Sequence, residues 1–177
     1  MQFDLFSSSN DDIQHVTNGE YLFFPGFYNP DKSAEFLKAL IRKTKWKQEK
    51  MNMYGKEVLF PRQTAWYGDQ DKDYSFSGLK LKPEKWTAEL LEIKNDIENL
   101  DYGKFNSVLL NHYRDGSDSI SWHSDSEKEL GKNPVIASLS FGATRKFQMR
   151  HKNTNEKITF ELKNGALLIM MGEMQHF

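Results

Sequence analysis

The chain has 177 residues, a formal net charge of -1, 38% hydrophobic and 14% aromatic residues, and no cysteine. That length suits a single domain with one substantial core, and the lack of cysteine excludes disulfides, zinc–thiolate sites and cysteine nucleophiles. Near-neutral charge leaves only local patches to attract nucleic acid, and no stretch approaches the roughly 18 apolar residues of a membrane span, so a cytoplasmic address, or a nuclear one in a eukaryote, is expected.

Residues 1–20 are rich in Ser, Asn and Asp, carry no signal or transit pattern, and are expected to form a flexible leader, with order starting near Tyr21 in "EYLFFPGF". In "NPDKSAEFLKALIRKTKW", Asn29 can cap a helix, Pro30 suits its first position, and Phe36, Leu37, Leu40 and Ile41 make one apolar face. The following basic run, Arg42, Lys43, Lys45, Lys47, Lys50 and Lys56, reads either as a solvated helix end or as a track for a phosphate backbone. "PRQTAWYGD" and "YSFSG" place Trp66, Tyr67, Tyr74 and Phe76 among turn residues. Those rings could be edge packing or a stacking slot for a planar base, with Arg62 on phosphate or on the base edge. A second helix fits "PEKWTAELLEIKNDIENL": Pro83 opens it, and Trp86, Leu90, Ile93 and Ile97 recur at helical spacing. From Phe105 onward the runs "FNSVLLNHY", "SISWH", "VIASLSFG", "RKFQMRHK", "KITFEL" and "ALLIMM" alternate with turn signals such as "RDGS" and "KNG". The whole predicts an α+β fold, mainly β, a jelly roll with two N-terminal helices backing one sheet.

"SISWHSDSEKELG" concentrates polar chemistry. On a strand, residues at i, i+2 and i+4 share a face, so His123, Asp125 and Glu127 would converge. A His-x-Asp can be no more than a hydrogen-bonded strand end. In a cysteine-free jelly roll it is also two thirds of a 2-His-1-carboxylate triad, whose open positions suit Fe(II) oxygen chemistry. His151 heads into a turn and His176 is the penultimate residue; neither is expected to be the third ligand.

"PRQTAWYGD", "YSFSGL", "NHYRDGSDSISWHSDSEKELG", "PVIASLSFGATRKFQMRHK" and "GALLIMM" occur in this order. From about Tyr21 to Met171 they resemble the AlkB family of Fe(II)- and 2-oxoglutarate-dependent dioxygenases, in particular its DNA-repair branch. The resemblance implies a double-stranded β-helix, a jelly-roll variant, and Fe(II), 2-oxoglutarate and O2 as reagents. It implies His123 and Asp125 as catalytic iron ligands, and Asn111 and Tyr113 as hydrogen-bonding partners of 2-oxoglutarate. Tyr74 and Phe76 would line the pocket of a flipped base, Glu127 would lie near that base, Arg62 would contact nucleic acid, and Met53 with Tyr54 would form a short apolar finger. The implied activity is oxidative dealkylation of N1-methyladenine and N3-methylcytosine in DNA, or in RNA, with formaldehyde release by a monomer without a membrane partner. The family pattern is expected to run past Phe177 to a His and two arginines, one pairing with the 2-oxoglutarate carboxylate, so the domain at 21–177 is expected to lack its C-terminal end. Two alternatives stay open: an inactive nucleic-acid-binding relative or fragment, and an oxygenase of protein or small molecules on the same scaffold.

Overall fold

The structure, a computed structural model, describes residues 13–53, 56–70, 74–76, 79–81, 83–125 and 130–177; of 51–53, 56, 74–76 and 79–81 it describes the backbone only. The chain folds as two compact units, residues up to Ser33 with Asn133–Phe177, and Ala34–Lys132.

In the first unit the continuous apolar run at Ala166–Met171 becomes a strand, β12, paired antiparallel with β2 (Gly19–Phe24) on one side and β9 (Ile136–Ser140) on the other. β1 (Gln14–Val16) pairs with β2, giving the order β1-β2-β12-β9. Pairing therefore starts at Gln14, ahead of Tyr21. A run without polar alternation suits a strand covered on both faces, and from Ala166 to Met170 no residue is more than 6% exposed. β10 (Arg145–Arg150) and β11 (Lys157–Leu162) pair with each other and do alternate. Their inward residues Phe147, Met149, Ile158, Phe160 and Leu162 pack with Leu168 and Met170. The Phe160 ring meets those of Tyr21 and Phe23, each at a centroid distance of 5.1 Å. The turn into β12 needs glycine: Gly165 has φ +80°, and a Cβ there would lie 2.4 Å from the Tyr28 carbonyl oxygen.

The second unit pairs β3 (Lys50–Met53) with β4 (Lys56–Leu59), β5 (Gln63–Gly68) with β8 (Ser107–His112), and β6 (Tyr74–Phe76) with β7 (Leu79–Leu81). Every ladder among the described residues is antiparallel.

Helix α1 spans Pro30–Lys43, with Asn29 Oδ1 accepting from the Lys32 N–H at 2.9 Å, as the local capping signal predicts. Helix α2 spans Ala88–Glu98 and buries Leu90, Ile93 and Ile97. It starts after Thr87, whose Oγ1 accepts from the Leu90 N–H at 3.3 Å, and not at Pro83. The cause is long-range. Glu84 donates to the Trp66 carbonyl at 2.9 Å and accepts from the Gly68 N–H at 3.0 Å, which draws the chain onto β5 and keeps it extended. Trp86 consequently lies outside the helix, and its Nε1–H donates to Asp69 Oδ1 at 2.9 Å. "SISWH" forms no strand; residues 119–125 are irregular. No helix among the described residues is long and apolar enough to cross a membrane.

Candidate active site

The β5–β8 ladder sets Gln63 opposite His112 and Thr64 opposite Asn111. Strand alternation then puts Thr64 and Asn111 on one face and Gln63 with His112 on the other, and Arg62, just outside the ladder, joins the first face through Asn111. On that second face Gln63 Oε1 and His112 Nδ1 are 3.0 Å apart, and the Trp46 ring lies 5.1 Å from the imidazole. On the first face Arg62 is only 7% exposed. Its Nε–H donates to Asn111 Oδ1 at 2.8 Å, and its guanidinium carbon sits 4.8 Å from the centre of the Phe60 ring, a cation–π distance. Burial pushes the Arg62 guanidinium below its ordinary pKa, partly opposed by Tyr113. Arg62 is thus turned toward Asn111.

The next segment is held by its own side chains. Asp118, 3% exposed, accepts from the Arg114 N–H (2.9 Å), Nε (2.8 Å) and Nη2 (2.8 Å). These hydrogen bonds, first those of the guanidinium, hold the Asp118 carboxyl down at about 2. Asp115 accepts from the Ser117 hydroxyl at 2.6 Å and N–H at 2.8 Å, an Asx turn that pulls its carboxyl below the ordinary value. The Ser119 N–H donates to the Pro61 carbonyl at 2.9 Å, tying this loop to the residue before Arg62. The Arg114–Asp118 clamp is a feature that sequence reasoning missed. Opposite charges four apart do occur in "RDGSD", but that spacing is read as a contact only on a helix, and here the residues form a turn.

The clamped loop leads to His123 and Asp125. His123 Nδ1 lies 2.8 Å from the Ser121 carbonyl oxygen. A carbonyl only accepts, so Nδ1 carries a proton, and in the neutral ring the lone pair is then on Nε2. That Nε2 faces Asp125 Oδ1 at 3.7 Å, with the side chains 48% and 36% exposed. His123 and Asp125 thus approach each other without the strand from which the convergence of His123, Asp125 and Glu127 was expected; the carbonyl tether orients the ring instead. One neutral imidazole nitrogen and one carboxylate suit a borderline divalent ion. Donors each about 2.1 Å from a shared ion lie about 3.0 Å apart at a right angle and about 3.6 Å apart at 120°, so the 3.7 Å pair matches the wider angle and would have to close by about 0.7 Å for the narrower one. Among the described residues no group of three or more His, Cys, Asp or Glu comes together in a way that could hold a metal.

Of the other expected site residues, Tyr54 and Glu127 lie outside the described residues, as do the side chains of Met53, Tyr74 and Phe76. Trp66 and Tyr67 belong to β5 and not to a turn. Tyr67 is 3% exposed and its hydroxyl accepts from the Lys45 N–H at 3.3 Å, so it serves the core of its unit and not a stacking slot. In the basic run Lys43 pairs with Glu89, Lys45 with Glu84 at 2.9 Å and Lys50 with Glu57 at 2.8 Å. These pairs favour the solvated reading for the three lysines. The two downstream histidines are engaged by protein partners in the first unit. His151 accepts at Nδ1 from the Asn153 and Thr154 N–H groups (3.2 and 3.1 Å), and His176 Nε2 is 3.0 Å from Asn133 Oδ1.

Comparison with known proteins gives a consistent assignment. Residues 20–177 match the family model of the 2OG-Fe(II) oxygenase superfamily. The chain is 40% identical over 161 residues to alpha-ketoglutarate-dependent dioxygenase alkB homolog 3 of Bos taurus, covering 85% of this chain and 56% of that protein. It is 40% identical over 129 residues to DNA oxidative demethylase ALKBH2 of Homo sapiens, covering 68% and 49%. With Uncharacterized protein R406 of Acanthamoeba polyphaga mimivirus it shares 33% identity over 138 residues, covering 77% and 72%. The chain spans about half the length of the alkB relatives it matches.

Proposed function

Because the chain belongs to the 2OG-Fe(II) oxygenase superfamily, as a member of the AlkB family, we propose that it removes alkyl groups oxidatively from nucleobases of DNA or RNA, using Fe(II), 2-oxoglutarate and O2. The observation that carries this reading is the His123–Asp125 pair, with a tethered Nδ1–H that leaves Nε2 facing the carboxylate. His123 Nε2 and Asp125 would hold the iron. The Asn111 amide, on the β5–β8 ladder, and the hydroxyl of Tyr113, just past its end, are donors suited to the carboxylate and keto oxygens of 2-oxoglutarate. When bound, the iron with 2-oxoglutarate and O2 supplies the oxidation that hydroxylates an N-alkyl carbon, giving succinate and CO2. The hydroxylated carbon then leaves the base as formaldehyde.

The substrate side rests on resemblance: Tyr74 and Phe76 lining the base pocket, Glu127 near the base, Met53 and Tyr54 as the finger. N1-methyladenine and N3-methylcytosine are the preferred lesions of this reading, since a base with a blocked pairing edge costs less to extrude. The supporting scaffold is a jelly roll, an architecture compatible with antiparallel ladders and with the apolar β12. The test is release of succinate and formaldehyde in equal amounts from a methylated oligonucleotide, with Fe(II) and 2-oxoglutarate supplied. Release no greater than that of the His123→Ala chain overturns the proposal.

A further inference from the structure

Arg62 differs from several other cations of its unit. Lys43, Lys45, Lys50 and Arg114 each meet a carboxylate, whereas the hydrogen bond of the nearly buried Arg62 goes to the uncharged amide of Asn111. Guanidinium nitrogens donate and never accept. The Asn111 atom facing Nε must therefore be Oδ1; the flipped amide would set N–H against N–H. With Oδ1 fixed on Arg62, the Nδ2 group of Asn111 points away from it with both N–H donors. Phe60 under the guanidinium and the Pro61–Ser119 hydrogen bond beside it hold the arginine in that pose. Two donors held in one orientation suit a ligand whose oxygens only accept.

We propose that Arg62 is a positioning residue for the cosubstrate: its Nε locks the Asn111 amide so that the NH2 group, together with the Tyr113 hydroxyl, meets the oxygens of 2-oxoglutarate. This rests on the proposed function and gives Arg62 a role in the cosubstrate pocket instead of on the nucleic acid. An arginine acting through Asn111 has a signature that a merely structural arginine lacks, because its effect vanishes once Asn111 is gone.

The experiment is titration of 2-oxoglutarate into the full chain loaded with Mn(II) without O2, for wild type, R62Q, R62K, N111A and R62Q/N111A. R62Q is expected to weaken 2-oxoglutarate binding about tenfold, because the released Asn111 amide no longer holds its hydrogen bond to the anion in place. R62K, which keeps the charge but not the planar Nε–H, is expected to lose as much. R62Q/N111A is expected to bind no more weakly than N111A, and affinity for a methylated oligonucleotide is expected to stay within about twofold in R62Q. Additive losses, full rescue by R62K, or a loss confined to the oligonucleotide would each overturn the inference. The Asn111 side-chain amide signals of the 15N-labelled chain supply a ligand-free readout; they are expected to move in both Arg62 variants, and signals unchanged in folded variants count against it. Wild type that binds no 2-oxoglutarate overturns the proposed function and this inference together, whereas wild-type binding with an additive cycle overturns this inference alone.

Discussion

Leu168 and Asp118 are both almost fully buried, at 0% and 3% exposure, yet different forces hold them. Leu168 sits in β12 among Phe160, Leu162 and Met170, and its burial is favourable without direction: apolar surface leaves water whichever neighbour it meets. Asp118 sits in an irregular loop and is fixed by three donors of one residue, Arg114. Each of those contacts fails if its geometry or its chemistry changes. The first arrangement builds a platform that accepts many apolar sequences. The second places particular atoms in particular directions, which the chemistry proposed at His123 and Asp125 would require.

Separating the two produces the largest expected effect. His123→Ala or Asp125→Ala is expected to abolish succinate release, because half of the candidate donor pair is lost. Both side chains are at least a third exposed, so the urea midpoint is expected to stay near that of wild type. A variant that lost activity only by unfolding would break the distinction between platform and site. The mirror-image change, Leu168→Ala, is expected to cost about 2–5 kcal/mol of stability, since a fully buried leucine leaves a cavity its neighbours only partly fill. Urea unfolding measures it. A cost well under that range would mean that the β12 layer is less tightly packed than its zero exposure implies.

The same contrast explains what could be read in advance. The run "ALLIMM" announces a buried strand by composition alone, and α1 follows from Asn29 and Pro30, both local signals. The start of α2 was hidden because Glu84 is drawn to Trp66 and Gly68 of β5, a pairing no local window contains. "SISWH" has the composition of a strand, but Ser119 is taken up by Pro61 and the preceding turn by the Arg114 clamp. The His123–Asp125 spacing correctly suggested a shared direction, although a carbonyl tether supplies it and not a pleat. Arg62 and Asn111 are 49 positions apart, and only the β5–β8 register brings them together.

Acid sharpens the comparison at a smaller scale, because protonation touches the clamp and leaves Leu168 alone. The Asp118 carboxyl is depressed from 3.8 to about 2 by its Arg114 hydrogen bonds. A depressed carboxylate contributes its stability in full above its unfolded value and loses it as the pH falls through the folded one. Wild type is therefore expected to melt above Asp118→Asn at pH 6, and the gap is expected to narrow from about pH 5 and close only below about pH 2. Parallel melting curves across that range would show that the carboxylate charge contributes nothing to the loop.

The smallest effect is expected where direction is present without burial. Lys50 and Glu57 pair at 2.8 Å across β3 and β4, as short as the Arg62–Asn111 contact, but the side chains are 57% and 62% exposed. In water the Coulomb gain is small, and holding two long side chains in register costs side-chain entropy. Lys50→Ala is accordingly expected to change stability by less than about 1 kcal/mol, with the difference fading further as salt is added. Urea unfolding at low and high ionic strength reads both. If Lys50→Ala proved as costly as Leu168→Ala, distance alone would govern these contacts; a near-zero value instead makes exclusion of water what gives the Asp118 and Arg62 hydrogen bonds their weight.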